Sequence, residues 1–269
     1  LNATSVLFGN GAPTAATLNF NHTSADYVFS PVIGGNGNVN VFSGTTIVTA
    51  NNPYTGNTTI SGGTFAVGDP THPSAALSGG GNVTIAPGAT LGGYGSVTGT
   101  VFNSGTVAAA SALPVFAGGP FGSLTINGNY VGNGGLLNVR TVLAGDGSPS
   151  DKLVISNGTG TGSTRINVTS AGGAGALTTG DGILVVQAIN GATTTPNAFN
   201  LGGPVSAGPY DYFLFRGGVS PGSQNSWFLR SSLVPGPTPS PVTPLYRPEV
   251  AVQSAVPSTA LALARIAVG

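Results

Sequence analysis

Short alternating phrases constrain this fold more than any other feature of the chain. Asn57-Thr58-Thr59-Ile60 leads into Gly63-Thr64-Phe65, and Asn82-Val83-Thr84-Ile85 into Ala89-Thr90-Leu91. Ser123-Leu124-Thr125-Ile126 leads into Gly128-Asn129-Tyr130, with Gly105-Thr106-Val107 as a weaker echo. Each phrase alternates apolar and polar residues over about 3 to 5 positions, the period of a half-buried strand. Gly, Asn and Pro punctuate them, supplying turn and positive-φ positions. The phrases recur at irregular steps of roughly 16 to 26 residues, the range of a solenoid with one coil per repeat. The closure this predicts is an all-β, right-handed, single-stranded parallel β-helix with inward Val, Ile, Leu and Phe stacked coil on coil. At about 4.8 Å per coil, around 220 residues make a rod on the order of 40 to 50 Å long. A β-sandwich is the competing architecture; it prefers hairpin turns at regular spacing and a more aromatic core.

Charge agrees with this reading. Charged residues are 5% of the chain, against about 25% in an ordinary domain. The net charge is zero, so nothing electrostatic draws the chain to nucleic acid. With 45 Gly and 20 Pro, disorder has to be weighed. Val, Ile, Leu and Phe spread along the whole chain argue against it, because disordered chains are poor in apolar residues and highly charged. The chain has no Cys, which removes disulfides, thiolate metal sites and thiol nucleophiles together. It also lets an exported chain fold without an oxidant. There is no Met either, and the chain opens on Leu1-Asn2-Ala3, which reads as a processed or excised piece. No signal peptide and no apolar run near the ~18 residues of a membrane helix is visible.

Four regions follow from these patterns. Residues 1–120 read as stalk coils. Residues 121–232 change character, with longer apolar runs such as Ile183-Leu184-Val185-Val186 and clustered aromatics at Tyr210, Tyr212, Phe213, Phe215, Trp227 and Phe228. A solenoid needs such an end piece, because its last coil exposes backbone edges and apolar side chains. Residues 233–247 are a Pro-rich linker, extended and unable to join a central strand. Residues 248–269 begin a helical linker, with Ser258 as N-cap after Pro257.

Catalytic material is sparse. The acids are Asp26, Asp69, Asp146, Asp151, Asp181, Asp211 and Glu249, and no two share a short motif. Solenoid carbohydrate-active enzymes need several carboxylates together, so that reading ranks last. Asp146 and Asp181, each in Gly-Asp-Gly, read as turn residues that bond their own backbone. No repeated Asp pattern points to calcium, and His22 and His72 read as isolated loop residues. No catalytic residue, cofactor or metal site is expected. Trp227, in Trp227-Phe228-Leu229-Arg230, is the one sharp candidate. Its large apolar face can simply fill the core of the last coil or can also nucleate the cap, with Tyr210, Tyr212 and Phe215 as expected neighbours. These six residues, Tyr210, Tyr212, Phe215, Trp227, Phe228 and Leu229, form the expected folding nucleus.

The same residues resemble a known family. Tyr54-Thr-Gly-Asn-Thr-Thr-Ile-Ser-Gly-Gly-Thr-Phe65 is similar to the autotransporter-associated β-strand repeat. Asp151-Lys-Leu-Val-Ile155, Thr179-Gly-Asp-Gly-Ile-Leu-Val-Val186, Ala207-Gly-Pro-Tyr-Asp-Tyr-Phe-Leu-Phe-Arg-Gly-Gly218 and Trp227-Phe-Leu-Arg230 resemble the pertactin-like C-terminal autochaperone domain of bacterial autotransporters (type V secretion). Tyr246-Arg-Pro-Glu-Val250 is similar to the segment approaching the translocator. The resemblance implies a non-catalytic passenger fragment at the bacterial cell surface or secreted, exported across the outer membrane. Its stalk would carry an autochaperone cap at 121–232 that promotes folding and secretion. Its partner would be its own C-terminal translocator β-barrel, which this sequence does not contain. The alternative is an adhesin or self-association passenger binding host or bacterial surfaces.

Overall fold

The computed structural model describes residues 3–9, 16–233 and 243–244. Eight coils follow one another. The first holds β1 (Ser5–Leu7), β2 (Ala16–Asn21) and β3 (Tyr27–Phe29), and the second β4 (Val32–Gly34), β5 (Gly37–Ser43) and β6 (Thr45–Val48). The third holds β7 (Asn51–Asn52), β8 (Thr58–Ile60) and β9 (Thr64–Val67). The fourth holds β10 (Ala76–Leu77), β11 (Val83–Ile85) and β12 (Thr90–Gly93), and the fifth β13 (Ser96–Thr98), β14 (Val101–Asn103) and β15 (Thr106–Ala109). In the sixth and seventh, two strands fuse into one: β16 (Ser123–Asn127) precedes β17 (Tyr130–Thr141), and β18 (Lys152–Ser156) precedes β19 (Thr159–Ser170). The eighth holds β20 (Ile183–Ile189), β21 (Thr193–Thr194) and β22 (Phe199–Leu201). Every pairing between these coils is parallel. The result is the expected parallel β-helix with three faces. Coil length is uneven, from 16 residues between Thr90 and Thr106 to 35 between Thr164 and Phe199.

Alternation decides what faces inward. In β5, Val39 and Val41 are buried while Asn38 and Asn40 are half out, and β11 repeats the pattern with Val83 and Ile85. Register then stacks like on like. Phe20, Val41, Ile60 and Ile85 align on one face, and Phe65, Leu91, Val107, Leu137 and Ile166 on another. These columns form one continuous apolar core from Phe8 to Leu229. Each coil alone buries little; stacked, it removes both of its strand edges from water.

One corner of the rod explains much of the glycine. Gly37, Gly56, Gly81, Gly99, Gly128 and Gly158 stack coil on coil where the first face meets the second. A methyl on any of the last five would overlap the carbonyl oxygen of the glycine before it. Asn follows four of these glycines, and at three of them its side chain bonds the next coil. Asn38 Oδ1 accepts the Asn57 N–H at 2.9 Å, Asn57 Oδ1 accepts the Asn82 N–H at 3.0 Å, and Asn129 Oδ1 accepts the Thr159 N–H at 3.0 Å. Glycine permits the close approach and asparagine fixes the register.

The parallel stack ends in antiparallel pairing. β23 (Val205–Ala207), β24 (Tyr210–Arg216) and β25 (Trp227–Arg230) follow the eighth coil. β25 pairs with β20 in the opposite direction, β24 with β25, and β23 with β24. Edge β20 is thereby covered by a hairpin and offers no parallel site for a further coil. The Pro-rich and Ala/Leu-rich expectations for 233–269 lie outside the described residues, except that Thr243–Pro244 pairs antiparallel with Ser232–Leu233.

Candidate functional site at the C-terminal cap

Trp227 is buried where β25 meets the last coil. Its indole Nε1–H donates to Thr194 Oγ1 at 3.0 Å, and its ring meets Phe199 edge-on at 5.5 Å. Phe199 in turn stacks on Tyr130, with centroids 5.6 Å apart and planes 13° apart. An aromatic spine therefore runs from the sixth coil through the eighth into the hairpin. Gly160 of the seventh coil sits close beneath Thr194, the hydroxyl partner of Trp227: a Cβ there would press on Ile155 and Thr194. The Tyr130 hydroxyl accepts from Asn103 Nδ2 at 2.9 Å and bonds Thr164 Oγ1 at 2.8 Å. Burial pushes this phenol up to about 12 against the pull of both bonds, so it stays neutral and keeps its proton.

The remaining candidates occupy other parts of the cap. Tyr212 is buried at the far end of β24, where its O–H lies 2.9 Å from the Ala144 carbonyl and accepts the Ala176 N–H at 3.0 Å. Tyr210 packs half-buried against the core. Phe215 lies opposite Phe228, with the Arg230 guanidinium 5.4 Å over its ring. Leu229 is fully buried, paired between Ile183 and Leu214. The ring partner of Trp227 is thus Phe199, which sequence reasoning missed, rather than Tyr210, Tyr212 or Phe215. Residues 210–212 pair with β23, so they lie beyond the end of β25.

Three charged side chains tie the cap's loops together. Asp146 accepts the N–H groups of Thr179, Gly180 and Gly182 at 2.8, 3.0 and 2.7 Å. Asp181 accepts those of Val219 and Ser220 at 2.5 and 2.8 Å. Arg230 donates to the carbonyls of Asp181 at 2.8 Å and Gly217 at 2.6 Å. Partial burial raises the pKa of Asp181, but the bonds from Ser220 and Val219 and the charge of Arg230 outweigh it, leaving the carboxyl below its ordinary value. The two Gly-Asp-Gly acids therefore do more than shape their own turns; they join loops distant in sequence. Among the described residues, no three His, Cys, Asp or Glu side chains gather in a metal-ligand cluster. His72 pairs with Asp69 at 2.9 Å across a tight turn, and His22 Nε2 lies 2.9 Å from Thr46 Oγ1.

Residues 96–214 match the family of type 1 autochaperone domains. The chain is 44% identical over 139 residues to the adhesin BmaC autotransporter of Brucella suis biovar 1 (strain 1330), covering 48% of this chain and 4% of that protein. It is 38% identical over 218 residues to the uncharacterized protein YuaQ of Escherichia coli (strain K12), covering 80% of this chain and 15% of that protein. It is 34% identical over 128 residues to the autotransporter adhesin AIDA-I of Escherichia coli, covering 47% of this chain and 9% of that protein. The chain thus spans a minor part of the length of each of these relatives.

Proposed function

We propose that the chain is a non-catalytic autotransporter passenger with a C-terminal autochaperone domain, exported to the bacterial cell surface or secreted, and that residues 121–232 fold first and template the coils above them. The observation that carries this reading is the switch at β20 from parallel to antiparallel pairing, backed by the Trp227–Phe199–Tyr130 spine. Below the switch the edge is sealed; above it, each coil offers a parallel edge to the next. A chain leaving a pore with this end foremost meets a finished template. Low charge helps the same process, since few side chains lose hydration in a narrow barrel. The partner on this reading is the protein's own C-terminal translocator barrel, reached through the Pro-rich linker at 233–247 and the segment at 248–269. Protease resistance of the passenger on intact cells, with and without residues 121–232, tests it. Loss of resistance or of display in coils upstream is expected; unchanged resistance refutes templating.

An adhesive passenger is the second reading. It draws on two relatives named as adhesins and on aligned polar columns on the rod's outside. Thr45, Thr64, Thr90 and Thr106 are in register across four coils, and Asn40 donates to Asn19 at 3.1 Å. Cells displaying the passenger should adhere or aggregate, and replacing the threonine column should abolish this without changing display.

A further inference from the structure

Residues 110–122 leave the solenoid between β15 and β16 and lie across its outer surface. Ala110 turns the chain outward with φ 45°, a left-handed conformation costly for a residue with a Cβ. Two 3-10 turns, Ala110–Ala112 and Pro114–Phe116, then seat Leu113 fully buried among Ile47, Ala66 and Ala108, with Val115 and Phe116 half-buried beside it. Ile47, Ala66, Gly92 and Ala108 align as one outward column over coils two to five. A methyl at Gly92 would press on Leu113. Outward strand positions on a rod are ordinarily polar. Here they are apolar or small, and this strap is what keeps water from them.

The strap is fastened from downstream. Asp151, buried just before β18, accepts the Ser111 Oγ–H at 2.7 Å and the Gly122 N–H at 3.0 Å, which are the two ends of the strap. It also accepts the Ser111 N–H at 3.4 Å and the Arg140 N–H at 3.3 Å. Arg140 donates to the Gly119 carbonyl at 3.3 Å and lies 5.0 Å over the Phe121 ring. Tyr94 fills the loop, donating to the Pro120 carbonyl at 2.7 Å with its ring edge-on to Phe116.

We infer that residues 110–122 form a latch: Asp151 of the seventh coil closes it over the outer face of coils two to five. The covered face belongs to the stalk and the fastening to the cap. Burial of Ile47, Ala66 and Ala108 is therefore completed only when the seventh coil is in place. This builds on the templating proposed above, by naming a contact through which a finished cap stabilises coils several turns away. Asp151 acts as a positioning residue, through the strap rather than on the covered face.

The chain has no cysteine, so one introduced thiol reports the latch. In the whole protein, Ile47→Cys places a small thiol beneath the strap, where a maleimide should label it slowly. Thr84→Cys, on an exposed position, should label fast and serves as control. Adding Asp151→Asn keeps the shape but sets an amide N–H among N–H donors. Labelling at position 47 should then rise about tenfold or more, with labelling at position 84 and the β-sheet circular dichroism unchanged. Leu113→Ala, away from the carboxylate, should raise it as well. Unchanged labelling at position 47 in a folded Asp151→Asn protein overturns the latch. If that variant does not fold, Ser111→Ala gives the same reading: a rise supports the latch and no rise overturns it. The labelling reports an equilibrium in the folded protein, whereas the protease experiment reports the order of folding, so either proposal can fail alone.

Discussion

At the scale of single residues, a few side chains join distant coils. Trp227→Ala opens a cavity beside Phe199 and should cost about 3–5 kcal/mol in urea unfolding. Trp227→Phe keeps a ring and loses the Thr194 bond, so its cost should be near 1 kcal/mol. Asp in place of Trp227 or Leu229 buries a charge without a partner and should abolish surface display; normal display of either variant would contradict the nucleus. Two acids give opposite pH signatures. Burial raises Asp151 above its ordinary 3.8, more than its bonds from Ser111, Gly122 and Arg140 lower it. The pH-dependent part of its contribution is full below pH 3.8 and is lost as pH rises through the folded pKa. Asp181 is lowered below 3.8, so its contribution is present above 3.8 and is lost as pH falls through the folded pKa. Urea midpoints across pH should show Asp151→Asn flattening the slope above 3.8, and Asp181→Asn flattening the slope below it. Trp227 was legible in the sequence as the lone Trp in an apolar strand. Phe199 was not. It sits in a polar stretch, and its partner Tyr130 belongs to a coil two turns away, so only the stacking register brings them together. Tyr212 misled for the same reason, because the register of β24 on β25 depends on a long loop whose path no local pattern encodes.

At the scale of elements, short alternating strands gave the coil and its inward faces directly, since a period of two and a bounded length leave few other solutions. The strands of the fused coils were less readable. β17 carries Gly134 at φ 79° and Gly135 where a Cβ would strike Asn103, and its register shifts between Asn133 and Leu136. The chain bends there without breaking, which sequence punctuation alone reads as a turn. The Gly-Asn corner is a local signal with a nonlocal cause. Gly81→Ala would set a methyl against the Gly56 carbonyl and should cost about 1–3 kcal/mol. The same change at Gly88, a turn glycine at φ 83° with open space around it, costs only the backbone strain of a left-handed alanine, about 1 kcal/mol. Thermal unfolding of the two variants separates close approach from conformational freedom. Equal losses would mean that the corner column does not hold the coils at their spacing.

At the scale of the whole molecule, the rod is polar along its length and different at its ends. Seven coil-to-coil steps at about 4.8 Å span about 34 Å. Upstream, the outer positions Leu7 and Val28 of the first coil are exposed; downstream, β25 closes the β20 edge of the last coil. Stability in such a stack is a sum of coil terms and neighbour terms. The cap adds terms that skip neighbours: the aromatic spine from coil six to the hairpin, the carboxylate clamps between loops, and the fastening by coil seven of the strap that lies over coils two to five. Growth should therefore begin where these concentrate. Pulsed hydrogen exchange during refolding of the whole protein measures this most directly. Amides of β20 and β25 should gain protection first, followed by coils seven to two in descending order. Protection of β5 and β8 before, or together with, β20 and β25 would contradict a templating cap.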